Sequence, residues 1–240
     1  MFNNIPVKKT FLFLLSTSII FSYSCTKNDV LVSDLSQDYS YFPLQNGHWS
    51  EFEVDSIVHY DSDDYTEMDT AIGVFHFFIR EEIDSSFIDD ENQKTYIIQR
   101  FRRDYDSLPW SFMNVWTATM NPYSAQRVED NIRFVRLKFP ITSQSHWPGN
   151  DYNFFNEEEY FYEDLYQPKQ YGSLYFDSTL TVIQNDFISY INRVYKKEVY
   201  GNHAGLVFKE IDSVNTKNTA NGTIILNGLE YKFNIVAYKN

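Results

Sequence analysis

Trp49-Ser-Glu-Phe-Glu-Val-Asp-Ser-Ile-Val-His-Tyr60 decides the fold class. Phe52, Val54, Val58 and Tyr60 share one face of this stretch, and Trp49, Glu51, Glu53, Asp55 and His59 lie mostly on the other. Successive side chains of an extended chain point to opposite faces, so a period of two marks a half-buried strand. The same period returns downstream. Ile72 to Ile83 sets Phe75, Phe77, Ile79 and Ile83 against His76 and Arg80, and Thr95 to Arg103 gives a third strand. Asp89-Asp90-Glu91-Asn92 between them reads as a hairpin tip.

Further strands are expected over Phe112–Met120, Asn131–Phe139, Phe176–Gln184, Ile188–Tyr200 and Leu206–Val214. Asn227-Gly228 is expected to turn a closing hairpin from Thr223–Leu226 into Leu229–Tyr238. Asn156 followed by three glutamates suits a short capped helix, but Tyr160, Tyr162 and Leu165 favour a strand. No other segment of the chain beyond the first 24 residues carries a helical apolar period. Alternation with one polar face indicates antiparallel pairing, since parallel strands are apolar on both sides. The expectation is all-β: one antiparallel domain of roughly ten strands, curved into a half-barrel or an up-and-down barrel. A two-sheet β-sandwich is the alternative. Charge on most polar faces argues against a barrel that spans a membrane.

The N-terminus has a different logic. Lys8 and Lys9 precede an apolar run from Phe11 to Phe21, which is too short and too interrupted by Ser16, Thr17 and Ser18 to cross a bilayer. Small residues at Ser22 and Ser24 then precede Cys25, the only cysteine among 240 residues. This is the order of an export signal. A lone thiol in an exported chain has no internal disulfide partner, and acylation of Cys25, by palmitate for example, accounts for it. Residues 1–24 are therefore expected to be a lipoprotein signal peptide, 25–40 a tether and 41–240 the β domain. Ser22 and Tyr23 make the lipobox a loose one.

Removing residues 1–24 takes away two lysines and no acid, so the net charge of −13 becomes −15. Such a body repels phosphate backbones, which argues against nucleic acid as a partner, and it repels anionic lipid. Membrane contact is expected through the anchor at Cys25, in the outer membrane, on its periplasmic or surface face. Lys27-Asn28-Asp29 is a weak form of a surface-sorting signal.

Four blocks carry a resemblance: Tyr41 to Tyr60, Trp147 to Asn153, Gly172 to Gln184 and Glu198 to Glu210. Together they resemble a group of uncharacterised envelope lipoproteins of Bacteroidota. The resemblance implies a β-rich envelope lipoprotein and an extended segment after Asn156. It brings no activity and no functional residues.

Nothing in the sequence spells out catalysis. The five histidines form no ligand spacing, and a nucleophile elbow, phosphate loop and dinucleotide fingerprint are missing. No cofactor is expected. Asp61, Asp63, Asp64, Glu67 and Asp69 crowd one loop, but without the glycine and closing glutamate of a calcium loop they read as a solvated tip. Trp110, Trp116 and Trp147 lie near turns or strand ends, where rings can stack on a ligand or cover the core. The expected function is a non-enzymatic envelope module that binds a hydrophobic molecule, a glycan or an envelope protein. The alternative is a glycan-acting hydrolase with paired carboxylates.

Overall fold

A computed structural model of the chain describes residues 35–60, 72–220 and 222–240. Among the described residues, one helical turn, α1 (Ser36–Tyr39), is followed by twelve strands: β1 (Trp49–His59), β2 (Ile72–Ile88), β3 (Lys94–Arg103), β4 (Ser111–Asn121), β5 (Ser124–Glu129), β6 (Ile132–Lys138), β7 (His146–Pro148), β8 (Glu159–Tyr171), β9 (Leu174–Ile188), β10 (Asn192–Gly201), β11 (Gly205–Thr219) and β12 (Gly222–Lys239). All pair antiparallel in one sheet, in the order β6-β5-β4-β3-β2-β1-β12-β11-β10-β9-β8-β7. The chain thus enters at the middle of the sheet, winds out to one edge, crosses to the other and winds back.

Alternation sets the register. Ser50, Phe52, Val54 and Ser56 are buried, while Trp49, Glu51, Glu53 and Asp55 face outward. Phe52 stands between Ile79 of β2 and Ile235 of β12, and Val54 between Phe77 and Phe233. The Phe52 and Phe233 rings meet at 4.8 Å. Burying a side chain such as Phe52 contributes about 1.5–3 kcal/mol, and a slip of one residue would turn this whole set toward solvent.

The two sheet edges meet. The Val135 N–H of β6 donates to the Gly149 carbonyl just beyond β7 at 3.0 Å, and the Trp147 indole N–H donates to the Val135 carbonyl at 2.9 Å. The Tyr162 hydroxyl of β8 accepts from the Lys138 N–H at 2.9 Å and donates to the Lys138 carbonyl at 2.7 Å. Groups that an open edge would leave bare are satisfied across this seam. The described residues form a nearly closed barrel, and the sandwich alternative does not hold.

One end of the ring is filled. Tyr41 is fully buried with its hydroxyl 2.7 Å from Ser178 Oγ, and Phe42 is buried beside it. The Tyr39 ring meets Phe139 edge-on at 4.8 Å, and Asp38 Oδ2 accepts the Ile141 N–H at 2.9 Å. At the opposite end, where β1 turns toward β2 and β9 into β10, burial fades. In β9, Leu180 to Gln184 are buried, but Phe187 and Ile188 are 53% and 72% exposed.

Several sequence expectations change in detail. Asn227-Gly228 does not turn a hairpin; it lies inside β12, and the turn falls between Thr219 and Gly222. Gly228, at φ +138°, is there because a Cβ would stand 2.3 Å from the Ser213 carbonyl oxygen. The expected strand over Ile188–Tyr200 breaks at Ser189, whose hydroxyl accepts the Ile191 and Asn192 N–H groups in a tight turn. β5 and β7 were too short to register as alternation. The segment after Asn156 is a strand as the alternation favoured, bulged around Gln167 to pass Pro168. The acidic cluster Asp61–Asp69 lies outside the described residues.

Candidate functional site

At the open end the inner wall becomes polar. Alternation places Glu129 of β5, Arg136 of β6, Gln184 of β9, Lys196 and Glu198 of β10 and Lys209 of β11 on the inner side of the ring. The 149–158 connection adds Asn150, Phe155 and Glu158. Together with Phe134, Tyr160 and Ile211, most of these line a cleft of about 410 Å³. That lies within the range of small-molecule sites, roughly 300–1,000 Å³.

A ladder of charge runs beneath the cleft. Arg136 bonds Glu129 through Nη2, and its Nη1 lies 3.3 Å from Glu198 Oε1. Lys209 Nζ reaches the same Glu198 oxygen at 3.1 Å, while the Tyr200 hydroxyl donates to Glu198 Oε2 at 2.6 Å. Nearer the mouth, Glu158 Oε1 takes Lys196 Nζ at 2.6 Å and the Asn185 amide at 3.0 Å. Further round the wall, Glu81 of β2 holds Arg100 at 2.9 Å and Arg127 at 3.2 Å.

Burial pushes the Glu198 carboxyl up, but Arg136, Lys209 and the Tyr200 hydroxyl outweigh it and hold the group down at about 2. Glu129 is likewise lowered: burial raises it, and the Arg136 and Lys209 charges more than reverse that. The Tyr160 phenol is pushed up, chiefly by burial. Glycoside hydrolysis needs one carboxyl kept protonated by a raised pKa. Neither Glu129 nor Glu198 provides it.

Two buried donors of residues lining the cleft have no partner: Gln184 Nε2 and Arg136 Nε. Gln184 is only 4% exposed. Leaving a buried donor unmade costs about 1–3 kcal/mol, so this is a point where an incoming acceptor is favoured. At the mouth, Phe155 stacks on Phe134 with centroids 6.3 Å apart, and the Arg136 guanidinium lies 4.4 Å from the Phe134 ring. Tyr160 forms part of the wall because Gly149 leaves it room; a Cβ there would come within 2.1 Å of the ring.

The aromatic candidates take three different places. Trp110 sits on the outer face under the Arg103 guanidinium, 4.3 Å from its ring centroid. Trp116 is on the inner face, with Arg100 at 3.4 Å over its ring and its indole N–H on Asp130. Trp147 is a correction to the reading of it as a platform. It is 3% exposed, packed at 4.8 Å on Tyr162, and serves to close the seam. Cys25 lies outside the described residues. The cleft residues went unremarked in the sequence, although Lys196, Glu198 and Tyr200 repeat with period two. That parity was a readable signal, but nothing said which parity faced inward.

No family model and no curated protein matches the chain. Among solved structures it is similar to a Bacteroides fragilis protein inferred to be exported, with a YMCC-like fold, at 10% identity and a TM-score of 0.40. It is also similar to a Parabacteroides distasonis protein inferred to be a lipoprotein, at 11% identity and a TM-score of 0.36. Each likeness covers 83% of this chain and 98% of the other. At these scores neither carries an argument about the site.

Proposed function

We propose that the protein is an outer-membrane lipoprotein, anchored through Cys25, that binds a small polar ligand in the open end of its barrel without transforming it. The observation that carries the reading is Gln184, a buried amide with an unpartnered donor in the wall of a cleft walled by paired charges. A wall assembled only for stability would favour apolar packing, because buried ion pairs contribute little over hydrophobic replacements of the same volume. The lowered carboxyls of Glu129 and Glu198 favour binding over acid catalysis.

A thermal-shift screen of four ligand classes tests the reading: neutral saccharides, sugar acids, amino acids and fatty acids. A ligand at 100 times its Kd stabilises the folded state by about 2.7 kcal/mol. For a domain of this size that is a rise on the order of 5 °C or more. At least one class should produce it in the wild type and lose it in Gln184→Leu. If no class gives a shift that depends on Gln184, the cleft is not a binding site.

A further inference from the structure

We infer that the ligand is a neutral saccharide, bound by one pyranose ring against Phe155 with its hydroxyls threaded among the paired charges. This rests on the reading of the cleft as a binding site and names what that site takes.

The pairing of the charges comes first. Arg136 and Lys209 are matched by Glu129 and Glu198, and Lys196 by Glu158, at 3.3 Å or less in every case. A ligand with net charge would have to displace a partner and leave a buried ion uncompensated, at a cost of several kcal/mol. The net charge of −15 left once residues 1–24 are removed disfavours an anion further, before it reaches the mouth. An apolar ligand fares no better. It would cover carboxylates and ammonium groups without offering a hydrogen bond, which is costly for each polar group sealed off. A hydroxyl is at once donor and acceptor, so it inserts between a carboxylate and an ammonium while serving both.

The aromatic wall supplies the second constraint. Phe155 is 45% exposed, with Phe134 stacked on it at 6.3 Å and Phe154 tilted against it at 4.8 Å, so the ring is held in place while part of it stays open to the cleft. The C–H face of a pyranose suits the negative face of such a ring. Deeper in, the Gln184 amide donor calls for an acceptor, which a ring or hydroxyl oxygen provides. Apolar face, hydroxyl edge and lack of charge occur together in a neutral sugar.

The experiment is isothermal titration of the mature protein with a panel of neutral methyl glycosides and their disaccharides. The corresponding uronic acids, free amino acids and a medium-chain fatty acid are run in parallel. At least one neutral saccharide should bind, and the matching uronic acid should bind roughly tenfold or more weakly. Phe155→Ala, at a half-exposed position, and Gln184→Leu should each weaken the saccharide by roughly tenfold. Trp110→Ala, on the outer face, should leave it unchanged. If an acid, an amino acid or a fatty acid binds best and depends on Gln184, the cleft is a binding site and the saccharide assignment is wrong. If a saccharide binds with no dependence on Phe155 or Gln184, or if nothing in the panel binds, the assignment is equally overturned.

Discussion

Arg136 holds two carboxylates at once, and its loss should be felt throughout the barrel. Replacing it by Met keeps most of its length but leaves Glu129 and Glu198 facing each other without their shared cation. Breaking a buried pair in this way costs about 3–5 kcal/mol. Urea denaturation should show it, while Lys232→Met, at a 56% exposed side chain, should change stability by less than about 1 kcal/mol. Glu198 makes the same point through pH. Its carboxyl is held at about 2, below the ordinary 4.5, so the folded state is favoured by its ionised form. That contribution is fully present above about pH 4.5 and is lost as pH falls toward 2, on the order of 3 kcal/mol in all. Glu198→Gln should therefore differ most from wild type at neutral pH, and the gap should narrow below pH 4. A gap that stays constant would mean the carboxylate is not stabilised as described. Cys25 is the residue on which the membrane reading depends. Two acyl chains anchor stably where one does not, so Cys25→Ala should move the protein from the membrane pellet to the soluble fraction. A variant that still pellets after a salt wash argues against the anchor.

Strands were legible because their cause is local. Phe52, Val54, Phe77 and Ile79 announce their faces by period alone, and the structure pairs them as that period demands. Turns were less legible, because a turn signal competes with the strand around it. Asn227-Gly228 has the strongest hairpin dipeptide in the chain, yet β11 and β12 run on past it for several pairs. Gly228 is needed instead for close approach to Ser213 and Val214. Gly228→Ala should thus destabilise the hairpin by roughly 1–3 kcal/mol, from strain at positive φ together with the contact. A urea midpoint unchanged by the substitution would show that the two strands do not approach there. The seam was not legible at all, since β7 is three residues long and meets β6 through the Gly149 carbonyl, the Trp147 indole and the Lys138 ammonium on the His146 carbonyl. Trp147→Phe keeps the apolar ring but leaves the Val135 carbonyl without its donor, at about 1–3 kcal/mol. Hydrogen exchange should accelerate most in β6 and in residues 146–149. Uniform acceleration over the sheet would indicate that the seam has no separate stability.

At the scale of the whole molecule, the sequence indicated a barrel but left the site hidden. Alternation tells which residues share a face, and closure of the ring decides which face is interior. Gln184 and Glu198 stand on the neighbouring strands β9 and β10, but Arg136 belongs to β6 at the far edge of the strand order, and only closure of the ring brings it to their wall. The aromatics singled out in advance went elsewhere for a related reason. Large rings near strand ends serve both ligands and seams, and Trp147 was needed at the seam. With one end filled by Tyr41 and Phe42 and the other lined by paired charge, the barrel offers a single polar mouth among the described residues. Amide chemical-shift mapping of the labelled protein, titrated with the neutral saccharide that shifts its melting point most, tests this directly. The account predicts perturbations confined to β6, β9, β10, β11, residues 149–158 and the ends of β5 and β8 at Glu129 and Tyr160. Perturbations centred on the outer face around Trp49 and Trp110, or none at saturating saccharide, would contradict it.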